Sequence, residues 1–266
     1  MLRLRRERIE LLEFTDSAGR PYPPGSTSTD LWFQHMAIVV NDMRHAYLRV
    51  MANRRFRPIS RNGPVRLPDN SGGVTAFKFR DHDGHPLELL AFPEGQVPGP
   101  WCTGNGAASF LGVDHTAIAV SDPARSARFF GSVFGFSAGG RTENRGPEQA
   151  DLDDVDDVHV SVTRLAPDLP APRMELLHYH AGTRRPIPHD TASNDIVATH
   201  CVVRVASLDA TVGALARRGT PLADDDLMLL QGASALPWSP DLTGTASWPK
   251  SRRSRGYADV AACSRT

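Results

Sequence analysis

The sequence predicts an α+β fold built from repeated modules, each with one strand, one helix and about three further strands. Two strand patterns alternate along the chain. One contains a glutamate and occurs at residues 9–14, 87–92 and 174–179, and the other contains a histidine and occurs at 34–40, 114–120 and 199–205. Glu10 and Glu175 are 165 residues apart, and so are His35 and His200. We therefore predict a duplicated domain in which each copy contains two similar modules.

The connection between the two strand types repeats at the same offset. Arg20-Pro21-Tyr22-Pro23 matches Arg185-Pro186-Ile187-Pro188, and Asp30 matches Asp195. Several independent sequence matches at one offset are hard to obtain by chance, so they favour duplication of a domain. Arg20 and Arg185 are candidates for contact with an anionic substrate, although a linker arginine is usually solvated.

A helix is predicted after each histidine strand, because capping residues follow each of these strands. The caps are Asn41 or Asp42 for the first helix, Ser121-Asp122-Pro123 and Gly135 for the second, and Ser207 and Gly219 for the third. Strands are predicted after each helix. Asp83-Gly84 predicts a hairpin turn between the strand at 75–79 and the strand that contains Glu88.

The repeats also predict the domain boundaries. Residues 1–93 form the first copy, which begins inside an incomplete first module, and 94–112 form a linker. Residues 113–230 form the second copy, with a full third module and a partial fourth, and 231–266 form an irregular tail. No glutamate follows Glu175, so the last strand of the fourth module is missing from the pattern. Either a frameshift within the tail or natural divergence would explain the missing strand.

Composition excludes several functional classes. Thirty basic and thirty acidic residues give a net charge of zero, which argues against a nucleic-acid partner. No apolar run reaches the length of a bilayer span, so no membrane partner is expected. The three cysteines have no close pairing, which favours a reducing cytoplasm.

The residues His115-Thr116-Ala117-Ile118-Ala119-Val120, with Ser126, Phe129-Phe130 and Phe134-Gly135-Phe136 after them, resemble the first strand and helix of glyoxalase I. Up to about Leu230, the chain resembles the vicinal oxygen chelate superfamily, which includes glyoxalase I, extradiol dioxygenases and bleomycin- and fosfomycin-resistance proteins. The resemblance implies βαβββ modules that form curved antiparallel or mixed sheets around a cleft. The first and last modules of this chain are incomplete by that standard.

The resemblance also implies metal ligands on the first and last strands of each module. These positions hold His35, His115, His200, Glu10, Glu88 and Glu175. His115, Glu175 and His200 form the set expected in copy two, and Glu10, His35 and Glu88 form the set expected in copy one. Two imidazoles and a carboxylate suit a divalent ion such as Fe, Mn, Ni or Zn.

Strand alternation supports a ligand role for two of these residues. It places His115 on the same face as Ala117 and Ala119, whose small side chains leave room for a ligand. Glu175 lies in an apolar strand, where a lone buried carboxylate is costly unless it is compensated.

Three function classes remain open. The first is a glyoxalase-like metal-dependent lyase or isomerase that acts on a small molecule with vicinal oxygens, with Glu175 and Glu88 as the catalytic residues. The second is an extradiol-type dioxygenase, although Lys78 stands where that signature has tyrosine. The third is a metal-free small-molecule binding protein that resembles the antibiotic-resistance members. The incomplete ends leave open that this chain is inactive, and an unpaired strand edge around residues 9–14 leaves open a homo-oligomer.

Overall fold

The computed structural model describes residues 2–5, 7–15, 18–102, 109–168 and 172–219, together with the backbone of two strands at 234–235 and 258–263. The strands are Leu2–Leu4 (β1), Glu7–Ile9 (β2), Phe33–Val40 (β3), Arg57–Pro58 (β4), Val65–Arg66 (β5), Thr75–Arg80 (β6), Pro86–Ala91 (β7), Phe110–Ala119 (β8), Ser137–Arg145 (β9), His159–Ala166 (β10), Arg173–Tyr179 (β11), His200–Val205 (β12), Ser234–Ala235 (β13) and Ala258–Cys263 (β14). The α-helices are Met43–Met51 (α1), Pro123–Phe134 (α2), Pro147–Asp153 (α3) and Leu208–Ala216 (α4), and short 3-10 helices cover Asp69–Ser71 and Gly99–Trp101.

The largest sheet has nine strands and crosses the boundary between the two predicted copies. Its order is β4–β6–β7–β3–β8–β11–β10–β9, and β5 pairs with β6. β3 runs parallel to β7 and β8 runs parallel to β11, whereas β3 and β8 are antiparallel. The predicted α+β fold with a curved mixed sheet is confirmed. The division into copies at 1–93 and 113–230 stays a prediction, and most of the predicted tail at 231–266 lies outside the described residues.

The helix starts follow the predicted capping chemistry. Each N-cap side chain accepts a hydrogen bond from the amide three residues later: Asp42 from His45, Asp122 from Arg125 and Ser207 from Ala210. Gly135 adopts a left-handed conformation, with φ of 75°, and ends α2. The short helix α3 has no counterpart in the sequence prediction.

The glutamate pattern at residues 9–14 does not form the predicted strand. The strand β2 ends at Ile9, and residues 10–14 have no regular secondary structure. Leu11 and Phe14 are exposed there instead of packing on a sheet. The other two glutamate patterns form β7 and β11, which lie inside the large sheet and pair on both sides.

The repeated linkers hold each other in a reciprocal arrangement, which we call the linker clasp (Arg20 with Asp195, and Arg185 with Asp30). The Arg20 guanidinium lies 2.7 Å from Asp195 Oδ2, and the Arg185 guanidinium lies 2.7 Å from Asp30 Oδ2. The backbone amides of Arg20 and Arg185 donate to the same two carboxylates. The predicted contact of these arginines with a substrate is therefore replaced by an intramolecular ion pair whose two halves are related by the 165-residue offset.

The two faces of the large sheet have different partners. On one face, Ile118, Val120 and Leu176 form a cluster with Phe130 of α2. On the other face, Ala117 and Ala119 pack with Leu177 and other buried side chains. Among the described residues, no helix is both long enough and apolar enough to cross a bilayer.

Candidate metal centre

The antiparallel pairing of β3 and β8 brings two histidines together at the middle of the sheet. His35 lies opposite Ala117, and His115 lies opposite Ala37, so a His-x-Ala pattern on one strand faces its inverse on the other. Residues two apart in a strand share a face, and both histidines therefore point to the same side. Both alanines are fully buried, and their small side chains leave space between the imidazoles.

The parallel neighbours add a carboxylate on each side. β7 places Glu88 beside Ala37, and β11 places Glu175 beside Ala117. Because each alanine lies between a histidine and a glutamate in its cross-strand row, four polar side chains surround the alanine pair. All four project from the centre of a sheet and not from a flexible loop, so the backbone fixes their spacing.

The four side chains meet through the atoms that commonly bind metals. His35 Nε2 lies 3.0 Å from His115 Nε2 and 3.1 Å from Glu88 Oε2. His115 Nε2 lies 3.5 Å from Glu175 Oε2. The side chains of His35, Glu88 and His115 are almost completely buried, and that of Glu175 is 13% exposed. We call these four residues the central cluster.

Each histidine is oriented by the residue that precedes it. His115 Nδ1 lies 2.9 Å from Asp114 Oδ2, and Arg173 holds the same oxygen at 2.5 Å. His35 Nδ1 is paired with the side-chain oxygen of Gln34. Partners on Nδ1 fix the ring orientation and leave Nε2 directed into the cluster. The sequence prediction missed Asp114 and Gln34, and the only available signal was a polar residue before each strand histidine.

Charge within the cluster shifts the pKa of several groups. Burial raises the pKa of Glu88 to about 7, although Lys78 opposes this shift. Burial alone lowers the pKa of His115, but the charge of Glu175 and the hydrogen bond to Asp114 raise it to about 9. Burial and the positive charge of Lys78 hold the pKa of His35 well below its usual value. The two imidazoles therefore differ in charge at neutral pH.

The donor set fits a divalent transition metal. Two ligand atoms that bind one ion at about 2.1 Å are about 3.0–3.4 Å apart when the bond angle is between about 90° and 109°. The distances of 3.0 and 3.1 Å from His35 to His115 and Glu88 match that range, and the distance of 3.5 Å from His115 to Glu175 is slightly longer. Two imidazole nitrogens with carboxylate oxygens suit Fe, Mn, Ni or Zn.

A buried polar network supports one side of the cluster. Lys78 Nζ lies 2.6 Å from Asp153 Oδ1 and 3.9 Å from Glu88 Oε2. Tyr179 donates its hydroxyl to Asp153 Oδ2 at 2.9 Å and accepts a hydrogen bond from Gln34 at 3.1 Å. The network links the partner of His35 to the partner of Glu88. Sequence reasoning missed it because Asp153 lies in an acidic run that reads as a solvated loop.

The structure groups the six predicted ligands differently from the prediction. His35, Glu88, His115 and Glu175 lie together and come from both copies. Glu10 and His200 lie beside each other instead, with His200 Nε2 3.9 Å from Glu10 Oε2. The long-range offset identified equivalent positions in the repeats, but equivalent positions are not neighbours in the sheet.

One protein family matches part of the chain. Residues 112–225 match the Glyoxalase/Bleomycin resistance protein/Dioxygenase superfamily. The superfamily resemblance seen in the sequence is confirmed over these residues. No curated protein matches the chain.

Solved structures that are similar to the chain include methylmalonyl-CoA epimerase from Mycobacterium tuberculosis, at 19% identity over 58% of this chain and 93% of that one, with a TM-score of 0.40. Methylmalonyl-CoA epimerase from Streptomyces coelicolor in complex with 2-nitronate-propionyl-CoA is 20% identical over 57% of this chain and 99% of that one, with a TM-score of 0.39. Glyoxalase I from Zea mays is 16% identical over 61% of this chain and 48% of that one, with a TM-score of 0.36.

Proposed function

From the superfamily match of residues 112–225 and the central cluster, we propose that the chain is a metal-dependent enzyme of the isomerase or lyase type. Its substrate would be a small molecule with two neighbouring oxygen atoms. The observation that carries the proposal is the convergence of His35, Glu88 and His115 at distances that suit one ion, with Glu175 3.5 Å from His115.

The proposed ligands are His35, Glu88 and His115, and Glu175 lies beside His115. A bound divalent metal would polarise the substrate oxygens and so acidify the neighbouring carbon. Glu88 and Glu175 are the proposed proton-transfer residues. Glu88 suits this role, because its carboxylate is buried beside His35, and burial raises its pKa to about 7 in the metal-free chain. Lys78, 3.9 Å from Glu88, stabilises the ionised form of that carboxylate.

The first test is the metal content of the chain. Wild type and Glu88→Gln are purified side by side, and bound metal is quantified. Glu88→Gln keeps the side-chain volume but removes the charge, so we expect its metal content to fall. Glu94→Gln, at an exposed glutamate of the same strand–loop region, is the matched control and should retain wild-type metal content. Equal metal content in wild type and Glu88→Gln would contradict the ligand assignment.

The second test is proton exchange. Small α-hydroxycarbonyl compounds and thioesters with an acidic α-proton are incubated with the metal-loaded chain in D₂O, and exchange is followed by NMR. We expect exchange at the carbon next to the carbonyl group with wild type and a loss of exchange with Glu88→Gln. Metal binding without exchange of any of these compounds would contradict the isomerase or lyase chemistry. Oxygen consumption by the Fe²⁺-loaded chain with catechols would favour the dioxygenase alternative.

A metal-free binding protein is the second candidate, and Lys78 favours it. Its ammonium group already supplies one positive charge beside Glu88, inside the space that an ion would share. In that case the chain would contain no bound metal after purification and would bind its ligand equally well with and without a chelator. Metal content that falls in Glu88→Gln would exclude this candidate.

A further inference from the structure

A second group of metal-ligating side chains lies on the face of the sheet opposite to the central cluster. Glu175 and Tyr179 of β11 face the central cluster and its network, whereas His178 and His180 occupy the alternate positions. On β10, Val160 and Val162 pack into the core, so His159 and Ser161 point the other way. Side chains from β9, β10 and β11 therefore meet on the second face.

We propose that Glu143, His159 and His180 form a second binding site for a divalent transition metal. His159 Nε2 lies 2.8 Å from Glu143 Oε2, and His180 Nε2 lies 3.8 Å from the same oxygen. One ligand atom from each of the three residues lies within 4.8 Å of the others. Bonds of about 2.0–2.2 Å to one ion require ligand separations of about 3.0–3.5 Å, so small side-chain rotations complete the site.

The two imidazole rings lie directly against each other. The rings of His159 and His180 stack with their centroids 4.0 Å apart and their planes 17° apart. A third ring, that of His178, contacts His180 edge-on at 4.9 Å and is itself held by the Val120 carbonyl oxygen. The ring of His180 is thereby supported from both sides.

Arg141 and Ser161 both bind the Glu143 carboxylate. The Arg141 Nε donates to Glu143 Oε1 at 2.7 Å, while Oε2 faces the two imidazoles. The buried Ser161 hydroxyl donates to Oε2 at 2.7 Å and lies 2.7 Å from His180 Nε2. Arg141 also donates to Ser161. The Ser161 hydroxyl therefore lies between Glu143 Oε2 and His180 Nε2, and an ion that binds both atoms would displace it.

The exposure of these three side chains and the types of their ligand atoms indicate which ion would bind. The side chains of Glu143, His159 and His180 are each about one third exposed, at 36%, 34% and 38%. An ion can therefore enter from solvent and keep water as a further ligand. Two imidazoles and one carboxylate favour Zn²⁺, Ni²⁺ or Cu²⁺ over Mg²⁺ or Ca²⁺. Binding would connect β9, which ends the sheet, to β10 and β11.

Zinc titration of the full chain tests this site separately from the central cluster. The double variant His35→Gln/His115→Gln removes two central ligands, so zinc that it still binds, and that a further His180→Gln change releases, reports the second site. We expect this variant to bind one zinc ion. Adding His180→Gln or Glu143→Gln should weaken that binding by more than the roughly 10–100-fold that loss of a supporting partner causes. Adding His45→Gln, at an exposed histidine of α1, should leave it unchanged.

A second measurement covers the case in which the double variant does not fold, as judged by circular dichroism. Glu143→Gln in the otherwise wild-type chain should then lower the zinc stoichiometry by one, and Co²⁺ loaded in place of zinc should lose one of two absorption signals. An unchanged stoichiometry in Glu143→Gln, no zinc bound by a folded double variant, or an equal loss with His45→Gln would overturn the proposal.

Discussion

The linker clasp should contribute measurably to stability, and Asp30 is its most sensitive position. The Asp30 carboxylate is fully buried and accepts hydrogen bonds from the Thr27 amide, the Thr183 hydroxyl and both the amide and the guanidinium of Arg185. Asp30→Asn keeps the shape, but it removes the charge and turns an NH₂ group toward one set of donors. The variant therefore leaves buried donors without an acceptor.

The size of the effect follows from the burial of each partner. Removing one partner of a fully buried ion pair costs about 3–5 kcal/mol. The Arg185 side chain is 37% exposed and regains water contacts, so we expect a smaller loss, of about 2–3 kcal/mol, in line with charge-assisted hydrogen bonds. For a chain of this size, the melting temperature should fall by about 4–12 °C.

Thermal unfolding followed by circular dichroism, together with urea unfolding, measures this loss. Asp195→Asn is the equivalent change in the other half of the clasp, and it should cost less because the Arg20 side chain is 51% exposed. Asp190→Asn is the control, since that carboxylate is 74% exposed and also contacts Arg20. The reasoning is refuted if Asp30→Asn unfolds within about 0.5 kcal/mol of wild type, or if Asp190→Asn costs as much.

The same comparison has a defined pH dependence. Burial raises the pKa of Asp30, but the hydrogen bonds from Arg185 and its other donors outweigh this, and the net shift is downward. A carboxylate with a lowered folded-state pKa stabilises the protein above its unfolded pKa of about 3.9, and this stabilisation is lost as the pH falls through the folded-state value. The difference between wild type and Asp30→Asn should therefore be constant at neutral pH and shrink below about pH 4.

Three further predictions concern other parts of the chain. Metal binding must displace a proton from His115, whose pKa is about 9, so metal affinity should rise with pH up to that value, which titrations between pH 6.5 and 8.5 would show. Burial raises the pKa of Cys201 to about 11, so iodoacetamide should modify exposed Cys102 first, and peptide mapping that shows equal rates would contradict this. Gly112→Ala should destabilise the fold by about 1–3 kcal/mol, because its φ is +150° and a Cβ would lie 2.5 Å from the Trp101 ring; an unchanged urea midpoint would disprove this.

Local patterns in the sequence were sufficient to predict the ligand strands. A histidine next to small residues marks β3 and β8, and a glutamate in an apolar run marks β7 and β11. Alternation then assigns each side chain to a face, since the period of a strand is two. These are properties of single strands, and neighbouring residues determine them. Residues 9–14 carry the same pattern, but the strand β2 ends at Ile9 and residues 10–14 have no regular secondary structure.

The pairing of strands was not predictable in the same way. The 165-residue offset shows that His35 corresponds to His200, but it does not show which modules share a sheet. In the structure, β3 pairs with β8 across the predicted linker, and this pairing brings His35 to His115. Both β3 and β8 are long apolar strands, so hydrophobicity alone allows several pairings. The supporting contact between Lys78 and Asp153 depends on the same arrangement and left no pattern in the sequence.

Glu10 and His200 lie beside each other, and neither belongs to the central cluster. The 165-residue offset relates Glu10 to Glu175 and His200 to His35, and those two residues lie in one cross-strand row on either side of Ala117. The two ion pairs of the linker clasp are related by the same 165-residue offset. The pair nevertheless provides only one nitrogen and one oxygen, 3.9 Å apart, whereas protein metal sites usually supply three or four ligands. Two of the six predicted ligands therefore lie apart from the central cluster, in a pair with too few donors to hold an ion alone.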